Sequence, residues 1–237
     1  MNELRIVGSM VERLSTGVPV LDRKLDGGLP AGSTVALSAP PASQSELLLY
    51  ELTAARPTLY VTTDRDEAAV DSAFERAPGR TGSPEVRYVP GDAPLEHARR
   101  LFRRLPAEST LVVDPVDLLE RQDESRYRNF LHDLQHHVQT SDSLAVLHCL
   151  DGRNVPDQRD VTEHVVDVVL QLHTEITGDR VENRLAVPKF RGGRASRDHQ
   201  AGTRRERLHR HQPRHRVRRA QAPSRAHPEP RDETPCT

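Results

Sequence analysis

Apolar residues along this chain fall into short runs set apart by turn residues, and the runs alternate between two spacings. Continuous apolar stretches of strand length lie at 34–38 (TVALS), 58–62, 86–89, 111–114 (LVVD), 144–148, 165–172 and 184–187. Between them come segments whose apolar positions recur every three or four residues, the period of a helix with one buried face. The segment 44–55 places Leu47, Leu48, Leu52 and Ala55 in this way. The segments 66–77 and 94–105 follow, and 124–139 gathers Tyr127, Phe130, Leu131, Leu134 and Val138 on one stripe. Gly27, Gly28, Pro30 and Gly32 mark turns ahead of the first strand. Unbroken apolar strands are buried on both faces, so the expected fold is α/β, a largely parallel sheet covered by helices on both faces.

The pattern stops after Phe190. Residues 195–237 contain no aromatic residue and many Arg, His, Pro and Ala, a composition that buries too little to offset its ordering entropy. The expected organisation is therefore a lead at 1–12, one domain at 13–194 and a disordered tail at 195–237. Charge follows the same division: residues 1–190 hold 21 Lys+Arg against 30 Asp+Glu, and residues 191–237 hold 13 against 5. The tail has two readings. One is an arginine-rich arm that binds nucleic acid through phosphates, with affinity falling steeply in salt. The other is a terminus translated out of frame from about residue 196. With permitted codons, the 198–207 stretch read one nucleotide later gives an alternating pattern of strand period.

Composition narrows the setting. Apolar residues make up 35% and aromatics 3%, so the core must be aliphatic. Cys149 and Cys236 are the two cysteines and form no C-x-x-C pair, which excludes a disulfide framework and a zinc knuckle. No apolar run approaches about 18 residues, and the N-terminus lacks a basic start followed by an apolar run. A cytoplasmic chain with no membrane partner is expected. Lys24 and Lys189 are the two lysines, and an acidic, lysine-poor body suits a salt-rich cytoplasm.

The chemistry turns on the loop between the strand at 34–38 and the helix at 44–55: Ala39, Pro40, Pro41, Ala42, Ser43, Gln44, Ser45 and Glu46. A phosphate-binding loop in that place reads G-x-x-x-x-G-K-S/T, because glycine amides cradle phosphates, lysine neutralises them and the hydroxyl holds magnesium. The entry TGVPVLDRKLDGGLPAGS, Pro40 and Pro41, the strand YVTTD at 60–64, LVVD at 111–114 and KFRGGR at 189–194 occur in order. Together they resemble the KaiC-type branch of RecA-like P-loop ATPases, as found in salt-loving archaea, over residues 13–194.

The resemblance implies a RecA-like fold, and it also exposes departures. Ala39 and Gln44 stand at the two fixed glycines, Ser45 at the lysine and Glu46 at the magnesium-holding hydroxyl. A carboxylate about 4 Å from a phosphate costs up to about 4 kcal/mol at an effective dielectric near 20. Asp114 resembles the Walker B aspartate, while Asp64 and Arg65 occupy a place where the family commonly has two acids, one of them the base that activates water. Asp64 and Asp114 are thus the candidate catalytic residues, ATP with magnesium is at most a weakly held cofactor, and no metal site is expected. Alternatively 39–46 is an ordinary turn in which Ser43 caps the helix and Glu46 completes a capping box, and Asp114 merely opens a turn before Pro115.

Other clusters read as structure. His132 and His136 share metal-ligand spacing but face away from the apolar stripe, and Arg99, Arg100, Arg103 and Arg104 surround Leu101 and Phe102 as a solvated helix face. His148 and Cys149 sit side by side, yet consecutive strand residues point to opposite faces. His148 is instead expected near the nucleotide pocket. The functional expectation is a non-hydrolysing regulatory or interaction module, in signalling or transcription control, working with a protein partner or as a homo-oligomer. The alternatives are a weak ATP-binding ATPase and nucleic-acid binding through the tail.

Overall fold

The computed structural model describes residues 12–177 and 180–191. A ribbon of β1 (Arg13–Leu14) against β2 (Leu29–Pro30) leads into seven strands: β3 (Thr34–Ala39), β4 (Thr58–Thr62), β5 (Glu85–Tyr88), β6 (Thr110–Asp114), β7 (Leu144–Leu150), β8 (Val168–Thr177) and β9 (Arg180–Phe190). Their spatial order is β5-β4-β6-β7-β3-β8-β9. All pairings are parallel except β8 with β9, which form an antiparallel hairpin.

Helices cover both faces, as the apolar strands require. On one side lie α1 (Pro19–Lys24), α2 (Ser45–Leu52) and α3 (Glu67–Arg76), which bury Leu21, Leu49, Val70 and Phe74 against Leu37, Tyr60, Val112 and Val146. On the other lie α4 (Pro94–Phe102), α5 (Asp117–Glu120), α6 (Glu124–Thr140) and α7 (Arg159–Val165), packed on Val61, Leu111, Val113, Leu147 and Cys149. Period-2 alternation along each central strand supplies both cores. All five of Tyr127, Phe130, Leu131, Leu134 and Val138 are buried, so the α6 stripe is the core face. Asp66 and Asp123 start α3 and α6 by accepting from the backbone N–H of Ala69 and Arg126, at 2.7 and 3.0 Å.

Three local expectations change. The run at 165–172 is not one strand, because Val165 ends α7 and pairing of β8 begins only at Val168. A short helix and a strand meeting end to end make one apolar run, which periodicity cannot divide. The strand expected at 184–187 is the middle of the longer β9, whose flanking polar residues pair with β8 across the hairpin. Pro30 lies in β2 rather than in a turn. Gly28 has φ 128°, and a Cβ there would sit 2.2 Å from the Leu14 carbonyl oxygen, so glycine lets the ribbon close. The disordered tail expected at 195–237 lies outside the described residues.

Candidate functional site

Chain direction builds a crevice at the carboxyl ends of the central strands. After β3 and β4 the chain turns to the α2–α3 face, and after β6 and β7 it turns to the opposite face. The loops part there, at the position where open α/β sheets hold ligands. A cleft of about 370 Å³ results, with Pro41 and Asp64 on one lip and Asp117, Leu118, Arg121 and Arg153 on the other. Burial, followed by the like charges of Asp114 and Asp117, raises the Asp64 carboxyl above its ordinary value.

Asp114 stands beside this cleft, buried, at the end of β6. The register sets Thr62 of β4 against it, and Val113 against Leu147, which brings His148 alongside on the same face. Three groups close on its carboxylate. His148 Nδ1–H donates to Oδ1 at 2.6 Å, Arg65 Nη2 donates to Oδ2 at 3.1 Å, and the Tyr60 hydroxyl donates to Oδ2 as well. Burial pushes the Asp114 carboxyl upward, but the His148 and Tyr60 hydrogen bonds and the Arg65 charge outweigh it and hold the group below its ordinary value. A carboxylate engaged in this way has both oxygens committed inside the protein.

The loop from Ala39 to Glu46 lies above the same edge. Its capping differs from the capping box expected at Ser43 and Glu46. Gln44 is the N-cap of α2, in the left-handed region at φ 61°, and makes no side-chain cap bond. Ser43 is buried with its Oγ unpartnered, while its N–H closes a turn onto Pro40 O and its carbonyl accepts from Asn183 Nδ2 on β9 at 2.8 Å. Glu46 reaches outward to Arg65 Nη1, 3.6 Å away, instead of back to the cap. Ser45 is buried, whereas Pro41, Ala42, Gln44 and Glu46 are exposed. Arg65 therefore joins three elements: Glu46 and Tyr50 of α2, the β4–α3 turn that carries it, and Asp114 of β6.

A model of the family of unknown function DUF7125 matches residues 13–200, well over half of the chain. The chain belongs to this family. No curated protein matches it. Among solved structures it is similar to the KaiC-like protein PH0186 from the hyperthermophilic archaeon Pyrococcus horikoshii OT3, with a TM-score of 0.58. That likeness runs at 17% identity over 78% of this chain and 91% of the other. At such identity it establishes the fold, which is that of a KaiC-like, RecA-type domain, and it establishes nothing about chemistry.

Within this DUF7125 fold, the remaining clusters resolve into structural roles. His132 and His136 lie on the exposed side of α6. Arg99 pairs with Asp133 at 3.0 Å across α4 and α6, and Arg100, Arg103 and Arg104 are exposed. Cys149 faces the α4–α7 core, away from His148, and burial pushes its thiol far up. Sequence reasoning missed Arg65 and Tyr60 as partners of Asp114, since contacts across β4 and β6 depend on register. It also missed Arg159, which binds both Glu120 oxygens, at 3.0 and 2.9 Å, inside the helical layer. No helix among the described residues is long and apolar enough to cross a membrane.

Proposed function

We propose that this chain is a degenerate P-loop domain that does not hydrolyse ATP and serves as a regulatory or interaction module, in signalling or transcription control. The observation that carries this reading is the commitment of Asp114 to Tyr60, Arg65 and His148. A Walker B-like acid must orient magnesium-bound water, and this one spends its lone pairs on neighbours. The loop adds no lysine and no hydroxyl at the places where phosphates and magnesium would need them. Regulation would then run through a protein partner or a second copy of the chain. Calorimetric titration with ATP and magnesium tests the reading. No heat of binding is expected at micromolar concentrations, and a Kd tighter than about 10 μM overturns it.

A second reading, weak nucleotide binding, has one observation in its favour. Gln44, the N-cap of α2, sits in the left-handed region and makes no side-chain cap bond, so no side chain of the cap takes the helix N-terminus, where an anion is favoured. In that case Asp64 and Asp114 would be the candidate catalytic acids, and millimolar ATP would raise the melting temperature. Binding of nucleic acid by residues 195–237 is a further proposal, tested by deleting them and following DNA affinity against salt.

A further inference from the structure

The geometry points to a binding site for a small zwitterion, an ammonium and a carboxylate on one apolar body, in the crevice between Asp64 and the pair Arg121 and Arg153. The inference rests on the proposed function only in that nucleotide leaves the crevice free, and it names the ligand such a regulatory module would sense.

The two lips carry opposite charges that do not neutralise each other. Asp64 and both arginines line one cleft of about 370 Å³, yet among the described residues Asp64 forms an ion pair with neither. The cation that acts on Asp64 is Arg65, and Arg65 is spent on Asp114 and Glu46. Arg121 gives Nη2 to the Asn154 carbonyl, a neutral acceptor, at 2.7 Å. Arg153 is exposed and meets no carboxylate among the described residues. Asp117 does not supply one to either arginine, because its Oδ1 meets Arg159 at 3.2 Å and its Oδ2 accepts from the Leu150 N–H at 3.2 Å. One unpaired carboxylate thus stands across the cleft from two arginines that lack an acid. Burial and the neighbouring acids already disfavour the charged form of Asp64, and an ammonium beside it would offset them.

The space between the lips is apolar and kept open by a glycine. Leu118 and Leu150, both half-buried, line it together with Pro41. A Cβ at Gly152 would stand 3.3 Å from Pro41 Cγ, so any larger side chain there grows into the gap. The volume lies within the range of small-molecule sites, which combine apolar walls with a few placed polar groups. Charge then selects the ligand. A simple anion, phosphate included, gains from the arginines but is repelled by Asp64, and a simple cation meets the reverse. A ligand with both charges uses all three side chains and sets its apolar part on the leucines. The class is therefore an apolar α-amino acid, free or as a short peptide.

The test titrates the full chain with L-leucine, leucyl-leucine, leucinamide, N-acetylleucine and pyrophosphate, following the backbone amide signals of 117–121 and 150–154 by NMR. L-leucine or leucyl-leucine should bind with a Kd below about 1 mM, the tighter of the two showing whether free amino acid or peptide is the ligand. Leucinamide and N-acetylleucine each lack one charge and should bind about tenfold more weakly or worse. Asp64→Asn and Arg121→Gln/Arg153→Gln should each weaken the zwitterion by about tenfold, whereas Asp64→Asn should leave N-acetylleucine no weaker. Gly152→Leu keeps every charge and should abolish binding by filling the gap. Circular dichroism checks folding. Should the double arginine variant fail to fold, Arg153→Gln alone, at an exposed position, takes its place, with a loss of about threefold or more. The absence of saturable shifts with both zwitterions, equal affinity for N-acetylleucine, or zwitterion binding indifferent to Asp64→Asn overturns the proposal. Pyrophosphate that binds more tightly than either zwitterion, and more tightly still in Asp64→Asn, overturns it too, since the cleft would then be a plain anion site. ATP that binds the parent tightly without displacing the zwitterion sinks the proposed function instead, so the two failures are distinguishable.

Discussion

Charge at Asp114 is balanced by residues from three other segments, and the consequences are measurable one side chain at a time. Its carboxyl is held below the ordinary value of 3.8, so unfolding at low pH takes up a proton. The stabilisation is therefore complete above about 3.8 and is lost as pH falls through the lower folded value. Asp114→Asn should flatten that part of the acid limb in urea titrations between pH 2 and 5. An unchanged limb would show that the three donors do not act on the carboxylate. Asp114→Ala is harsher, since it leaves Tyr60 and Arg65 facing an empty place, and should cost about 3 kcal/mol. Gln44 offers the opposite sign. A non-glycine residue at φ 61° carries about 1 kcal/mol of backbone strain. Glycine relieves it but enlarges the unfolded ensemble, so Gln44→Gly should gain about 0.5 kcal/mol, read from the urea midpoint. A loss of stability would mean that Gln44 makes contacts that outweigh its strain.

At the scale of elements, the short helices around the crevice are tied by one buried ion pair. Arg159 of α7 grips Glu120 of α5 through Nε and Nη2, reaches the Leu150 carbonyl with Nη1 at 3.1 Å and meets Asp117 at 3.2 Å. Thr162 donates to Glu120 and shares a hydrogen bond of 2.7 Å with the Tyr127 hydroxyl of α6. Removing one partner strands the other inside the protein, so Arg159→Met should destabilise by about 3–5 kcal/mol. Glu120→Leu/Arg159→Met removes both charges and should recover part of that loss. A double variant as unstable as the single one would show that the helices depend on the pair for geometry and not for charge balance. This clamp also marks what the sequence could and could not disclose. Central strands were legible, β4 to the residue and β6 to within one, because burial on both faces makes them unbroken apolar runs. The helices α1, α5 and α7 are too short to show a period, and α7 hides within the same run as β8. The loop 39–46 was legible as a departure from a phosphate-binding pattern. Arg65 and Tyr60 were not legible as partners of Asp114, because nothing in a linear chain specifies which residues β4 will set against β6.

Over the whole molecule, the sheet separates two cores, and the two features just described lie on opposite sides of it. The Asp114 cluster belongs with α2 and α3, whereas Cys149 is buried under the helices of the other face. The Cys149 thiol has no exposure and is pushed far up by burial, so it reacts only when its surroundings open. That makes it a reporter of cooperativity. In a Cys236→Ser background, labelling of Cys149 by a disulfide reagent should follow the population of the open form when reclosing outpaces the reaction. If the seven strands unfold as a unit, Asp114→Ala on the far face should accelerate labelling by the full factor that its stability loss implies. For about 3 kcal/mol that is about 150-fold, at about 1.4 kcal/mol per decade. A labelling rate that hardly changes would show that the α2–α3 face opens by itself, leaving the core around Cys149 intact. The loop 39–46 would then sit on a separable layer, able to move without unfolding the remainder. For a chain whose candidate site is latched by side chains from four segments, full coupling is the expected result.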